Sequence, residues 1–318
     1  MQAQQQQFTD AQQHAASLAH WNQVYDQITA GRFHSSLQRL NTDQLDIFRE
    51  TINQRVVQHG QAPAEMVHFA VPLTLPQNRP VPLSLQGCQV GDNAVMALRS
   101  NEEFVFHVPP QVDSLQISIR NGDLEALAPQ LWQRLSQSRQ RMPVLQVSPQ
   151  QLQATRELLL TAFEQALLNA DLLNFAGSQK LIQHQFISLL LDLLNDVAPD
   201  ERPSLTHATH SDIVRRSQGI VQRSPDEPVT VLDLCQQLRV SRRTLQNSFQ
   251  LITGTTPVDY LRSIRLNGVR RMLQAAPDRN SVREAAGHWG FYHLGHFSRD
   301  YRRLFDELPS ETRSRALA

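Results

Sequence analysis

Apolar positions change their period along the chain, and each change predicts a different kind of element. Between Val56 and Ile119 short apolar stretches (VHFAVPLTL, VPLSLQGCQV, AVMAL, FVFHVPP, LQISI) are interrupted by Pro, Gly, Asn and Asp, a pattern that predicts strands over about 56–120 in a sandwich or small barrel. Leu115, Ile117 and Ile119 alternate with polar residues, so one face is expected to be buried and the other wet. Ahead of them, AHWNQVYDQITAGRFHSSLQRL predicts a short helix around Trp21 and Tyr25 and a turn at Gly31, and the Gln-rich start reads as a frayed tail. From Pro149 the spacing becomes helical. PQQLQATRELLLTAFEQALLNADLL and LIQHQFISLLLDLLNDV predict an antiparallel helix pair within a helical stretch of about 123–197. The second is apolar around much of its girth from Leu181 to Val197, which predicts a homodimer through the helices at 150–197. The polar, Pro-containing segment APDERPSLTHATH supplies a linker at 201–209 between domains at 1–200 and 210–318.

The C-terminal domain contains an internal repeat offset by about fifty residues. One copy runs from Thr230 to Phe249 and the other from Ser281 to Tyr301. Both open with a capping box, Thr230 with Asp233 and Ser281 with Glu284, where a hydroxyl and a carboxylate satisfy free N–H groups at a helix start. Apolar residues follow at i, i+3, i+4 and i+7: Val231, Leu234, Cys235 and Leu238, then Val282, Ala285, Ala286 and Trp289. After a turn of three or four residues (RVS; GFYH) a second amphipathic helix begins, anchored by Leu245 and Phe249 or by Phe297 and Tyr301. Each copy therefore predicts a helix-turn-helix. Between them Pro257–Ala276 predicts one helix of roughly 28–30 Å, close to the 34 Å of one DNA turn, so two second helices could enter successive major grooves.

Charge strengthens this picture. Lys+Arg and Asp+Glu both number 30, but residues 202–318 hold 18 Arg against 11 acids, whereas residues 1–201 hold 12 basic and 19 acidic residues. A neutral chain is thus an acidic half joined to a basic one, as expected when one half contacts nucleic acid. Every basic residue but Lys180 is Arg. Cys88 and Cys235 stand far apart and no disulfide framework is expected. No signal-peptide pattern and no run of roughly 18 apolar residues occurs, so a cytoplasmic protein with no membrane partner is expected.

Over about residues 210–312 the phrase SRRTLQ, the stretch GTTPVDYLRSIRLNGVRRML and WGF before the last repeat helix resemble the AraC/XylS family of bacterial regulators. EPVTVLDLCQQLRVSRRTLQNSF, WGFYHLGHFSRDYRRLFDELPS and the N-terminal HWNQVYDQITAGRFH followed by DIFRE are most similar to the ethanolamine-utilisation operon regulator subgroup. The resemblance implies an α+β protein, with a strand-rich, cupin-like or related barrel as a sensor and dimerisation domain and an all-α tandem helix-turn-helix domain. It implies a ligand-responsive activator of a catabolic operon for amine or alcohol utilisation, with double-stranded DNA, RNA polymerase and a small amine or alcohol effector as partners. It places base reading in the first unit on Arg243, Gln246 and Asn247, with Arg242 and Gln250 nearby. Arg suits guanine, and Gln or Asn suits adenine. In the second unit the corresponding places hold His293, Leu294, Gly295, His296, Ser298 and Arg299. Gly295 reads nothing by side chain, so Arg299 is the best base-reading candidate there, with backbone contacts and shape readout making up the rest. Gly268 within the connecting helix leaves room for close packing.

Other chemistries find little support. His293 and His296 share a helix face but have no suitably spaced third ligand, so no metal is expected. His68 and His107 stand singly on strands, and no nucleophile elbow, phosphate-binding Gly loop or Cys-pair motif is present, so no catalytic residue is assigned and no enzyme is expected. There is no D-x-H-x-x-G motif for cobalamin, and no cofactor is expected. Phe69, Phe104 and Phe106 are the candidate lining of an apolar effector cavity.

Overall fold

The computed structural model describes every residue except 1, 19, 42–44, 75–82, 138–143, 196–204, 225–227 and 318. In chain order the N-terminal region comprises β1 (Gln2–Phe8), α1 (Ala11–Ser17), β2 (Asn22–Gln27), β3 (Ser35–Asn41), β4 (Leu45–Ile52), β5 (Val56–Gln61), β6 (Met66–Thr74), β7 (Ser84–Leu85), β8 (Cys88–Gln89), β9 (Ala94–Leu98), β10 (Glu103–Val108) and β11 (Val112–Arg120). Then come α2 (Asn121–Leu127), α3 (Pro129–Gln137), β12 (Val144–Gln146), α4 (Pro149–Leu168) and α5 (Ala176–Leu194). The C-terminal region is helical: α6 (Leu205–Arg223), α7 (Val231–Leu238), α8 (Arg242–Thr253), α9 (Pro257–Ala275), α10 (Val282–His288), α11 (Leu294–Phe305) and α12 (Pro309–Leu317).

The strands form two sheets, a large one in the order β1-β3-β4-β11-β6-β9-β12 and a small one in the order β2-β5-β10-β7-β8. Alternation along each strand gives every sheet two different faces. On the large sheet Leu45, Ile47, Val67, Val71, Leu115, Ile117 and Ile119 meet Leu152, Phe163, Phe186 and Leu190 from α4 and α5. Its other face, with Ile52, Ala94, Met96 and Val112, packs on Tyr25, Val56, Phe104 and Phe106 of the small sheet. The small sheet's outer face is also covered. Val57 and Val105 enter a core built by α6, α7, α8 and α9. The order of layers is therefore helices, large sheet, small sheet, helix-turn-helix region.

The structure differs from the sequence expectations in four places. The segment around Trp21 and Tyr25 is strand β2, not a helix, and the Gln-rich start is strand β1, paired with β3 from Gln2 opposite Asn41 to Phe8 opposite Ser35. Strands begin well before residue 56, with β1 to β4 all preceding it. β1 is an edge strand with an exposed polar face, and β2 buries Tyr25 on one side and the charged Asp26 on the other, so neither shows apolar alternation. Of the linker expected at 201–209, residues 201–204 lie outside the described residues and 205–209 open α6.

Candidate nucleic-acid interface

Helix α9 is the spine on which two helix pairs are mounted. Its first half gives Tyr260, Leu261 and Ile264 to a core with Leu234 and Leu238 of α7 and Leu245, Phe249 and Ile252 of α8. Its second half gives Leu266, Val269 and Leu273 to a core with Ala285 and Ala286 of α10 and Phe297, Tyr301 and Leu304 of α11. Both capping boxes form. The Thr230 N–H donates to the Asp233 carboxylate at 2.8 Å and the Asp233 N–H returns to the Thr230 hydroxyl at 3.2 Å, while the Ser281 and Glu284 pair repeats this at 2.9 and 3.2 Å. The Thr230 and Ser281 hydroxyls also donate to the Asp233 and Glu284 carboxylates at 2.7 Å, and these bonds first, with the backbone N–H bonds after them, hold both carboxyls below their ordinary values.

The turns match as well. Arg239 (φ 54°) and Gly290 (φ 75°) take the same left-handed step, and the following N–H groups of Val240 and Phe291 donate to Cys235 and Ala286 carbonyls at 3.1 and 2.9 Å. The second turn then contains one residue more than the first. Helix α8 starts behind its N-cap Ser241, whereas α11 starts behind His293, and the ring of Tyr292 projects with 87% exposure.

Arg243, Gln246, Asn247 and Gln250 share one exposed face of α8, with Arg242 exposed beside them, while Leu245, Ser248, Phe249 and Ile252 on the opposite face are buried. On α11, Leu294, Gly295, His296 and Arg299 are exposed, Ser298 is half-buried, and His293 stands exposed at the N-cap. With the longer turn allowed for, Gly295, Ser298, Arg299 and Arg302 occupy the places of Arg243, Gln246, Asn247 and Gln250. Arg302, exposed on α11, was not singled out from the sequence, although a repeat offset of 52 after the turn points to it; Tyr292 is a second such residue. Arg262 on α9 lies 3.7 Å from Asp300 of α11, so its charge is partly matched within the chain. The rings of His293 and His296 are 6.1 Å apart, and among the described residues no group of three or more His, Cys, Asp or Glu could hold a metal ion.

A second feature lies between the two sheets. A cavity of about 50 Å³ is lined by Trp21, Tyr25, Phe48, Phe104, Phe106 and Met96, with Glu50 and His68 as its buried ionisable groups. That is several times the room one water needs and about a third of a void that takes benzene. Phe69 borders it, but its ring belongs to the core on the helical side of the large sheet. The Tyr25 hydroxyl donates to Glu50 Oε1 at 2.8 Å, Gln58 Nε2 donates to Oε2 at 3.4 Å, and His14 Nε2 is 3.4 Å from Oε1. Burial pushes Glu50 up to about 7, and pushes His14 and His68 down to about 3 and about 4.

Residues 234–315 match the family model described as a helix-turn-helix domain. Over 100 residues, 31% of this chain and 30% of the relative, the sequence is 38% identical to the "Probable thc operon regulatory protein" of Rhodococcus erythropolis. Over 96 residues, 30% of this chain and 60% of the relative, it is 38% identical to the "XylDLEGF operon transcriptional activator 2" of Pseudomonas putida. The helix-turn-helix region belongs to the AraC/XylS family. A solved structure described as a probable AraC family transcriptional regulator from Rhodopseudomonas palustris is 33% identical, covering 33% of this chain and 97% of that chain with a TM-score of 0.31. The chain spans 30% and 60% of the lengths of the two curated relatives, and both matches involve less than a third of its own residues. The AraC/XylS assignment thus describes the two units carried by α9. Among the described residues no helix is long and apolar enough to cross a membrane.

Proposed function

We propose that the protein is a sequence-specific DNA-binding regulator that activates a catabolic operon in response to a small amine or alcohol. The observation that carries this reading is the exposed set Arg243, Gln246, Asn247 and Gln250 on a capped helix whose far side is fully packed. Such a helix presents bidentate donors and acceptors to a major groove while its own fold stays intact. Helix α11, on the same spine, adds Arg299 and Arg302. RNA polymerase is the partner an activator requires.

The cavity supports the effector half of the reading. Its volume suits a molecule of a few heavy atoms, and a carboxylate among aromatic rings suits an ammonium group, which would favour the ionised form of Glu50. Closeness to the ethanolamine-type subgroup is part of this proposal and rests on the sequence stretches given above. Homodimerisation through α4 and α5 fits Leu168, Phe175 and Leu181, which are 77%, 64% and 73% exposed around the α4–α5 turn.

Capture of fragmented genomic DNA by the purified protein, with Arg243→Ala alongside, tests the function. Enrichment of a discrete site upstream of a catabolic operon, lost in the variant, is expected. Equal retention by both proteins, with and without pooled small amines and alcohols, overturns it.

A further inference from the structure

The small sheet is a partition with the cavity on one side and the helix-turn-helix region on the other. Tyr25, Gln58, Phe104 and Phe106 face the cavity. Their sequence neighbours face outward: Asp26 pairs with Arg271 of α9 at 2.5 Å, Val57 and Val105 enter the first unit's core, and Gln218 of α6 donates to His107 Nε2 at 2.9 Å and to the Tyr260 hydroxyl at 3.0 Å. The exposed residues on α8 and α11 stay open in this arrangement, so the N-terminal domain does not mask them.

It grips the recognition helices instead, at their far ends. The last carbonyls of a helix lack partners within the helix. Here the buried Arg55 guanidinium, just ahead of β5, donates to the carbonyl of Thr253, the last residue of α8. Gln27 Nε2, at the end of β2, and the Gly31 N–H donate to the carbonyl of Leu304 in the last turn of α11, at 2.8 and 3.1 Å. Between these points the Gln27 N–H donates to Asn267 Oδ1 at 3.0 Å, Asn267 Nδ2 returns to the Gln27 carbonyl at 2.9 Å, and Asp10 pairs with Arg270 at 2.5 Å. The end of β2, the loops beside β2 and β5, and the N-cap of α1 therefore hold both recognition helices and the spine that joins them.

We propose that the N-terminal domain sets the spacing between the two recognition helices by gripping both at their C-terminal ends, and that the cavity acts on DNA binding through this sheet. The spacing claim rests on the DNA-binding reading, but the grip itself does not. A protein held in this way discriminates between sites by the distance separating their two contact patches, and releasing the grip relaxes that discrimination.

The test uses the full chain and duplexes carrying the captured site, unchanged or with two base pairs inserted between its contact patches. The parent is expected to bind the inserted site about tenfold more weakly. Arg55→Gln and Gln27→Leu are expected to cut that penalty to about threefold or less while keeping affinity for the unchanged site. Tyr25→Phe, which removes the hydroxyl from Glu50 without touching the DNA-binding half, is expected to change the penalty as well. Hydrogen exchange without DNA provides an independent readout. Amides in the last turn of α8 should exchange faster in Arg55→Gln, and those in the last turn of α11 faster in Gln27→Leu. Unchanged exchange in both variants overturns the grip, whether or not DNA binds. Changed exchange with the parent's full insertion penalty overturns the spacing claim. An unchanged penalty in Tyr25→Phe overturns the role of the cavity, and a parent that binds no site defeats the regulator reading while the exchange result still decides the grip.

Discussion

Replacing Gly268 by alanine sets two opposing magnitudes against each other. A Cβ added there would lie 2.3, 2.3 and 2.5 Å from Cε2, Cζ2 and Cη2 of Trp289. Carbon atoms rest at about 3.5–4.0 Å, so the indole would have to withdraw by more than about 1 Å. It has little room, because it packs against the core of Leu266, Val269, Leu273, Ala285, Ala286 and Phe297. Overpacking of this kind costs about 1–3 kcal/mol, against a gain of about 1 kcal/mol from alanine in a helix interior. We expect a net loss of up to about 2 kcal/mol, with a melting temperature lower by about 4–8 °C for each kcal/mol in a unit of roughly 100 residues. Calorimetric melting of the parent, Gly268→Ala, Trp289→Phe and the double variant checks it, with the double variant recovering part of the loss because the smaller ring clears the new methyl. A melting temperature that rises in Gly268→Ala, as helix propensity alone would dictate, refutes the packing argument.

Other outcomes follow from the same structure. Glu50, raised to about 7 from an ordinary 4.5, binds a proton more readily folded than unfolded; it costs the fold nothing below pH 4.5 and increasingly more up to pH 7. Glu50→Gln should therefore stabilise the protein at pH 8 by up to about 3 kcal/mol and leave it unchanged at pH 4, which urea titrations at the two pH values would show. His14, His68 and His107 are held neutral by burial, at about 3, 4 and 3, so their contribution is complete above pH 6.5 and declines as pH falls toward 4. A denaturation midpoint that does not fall between pH 6.5 and pH 4.5 would contradict that. Arg239→Gly, at a left-handed φ of 54°, should raise stability by about 0.5–1 kcal/mol in urea titrations. Ser241→Ala removes the hydroxyl that accepts from the Thr244 N–H at 3.0 Å, and a loss of about 1 kcal/mol in the same assay is expected.

The helix-turn-helix units were legible because their information is local. Caps, an apolar stripe and a short turn fall within twenty residues, and the repeat states them twice, so the apolar spacing alone puts Arg243, Gln246 and Asn247 on one polar helix face. Gly268 was legible as a site of close packing, though its partner Trp289 was not. Arg302 was missed because the second turn is one residue longer, which moves every later position relative to the first unit. Strands β1 and β2 were illegible for a different reason. A polar edge strand and a strand buried on both sides, one side against another domain's arginine, carry no apolar alternation. The contacts of Gln27 with Asn267 and of Arg55 with Thr253 join residues about 200 or more positions apart, and polar side chains buried at a domain contact look like surface residues in sequence.

Whether α8 and α11 read one DNA face together is decided by measuring binding across all single-base variants of the captured site for the parent, Arg243→Ala and Arg299→Ala. We expect two separate patches of lost discrimination, one for each variant, about 10 base pairs apart, with each affected base losing about 1–3 kcal/mol. Loss of affinity that is uniform across all positions, or that falls in the same patch for both variants, would show that the two helices do not read DNA in this way.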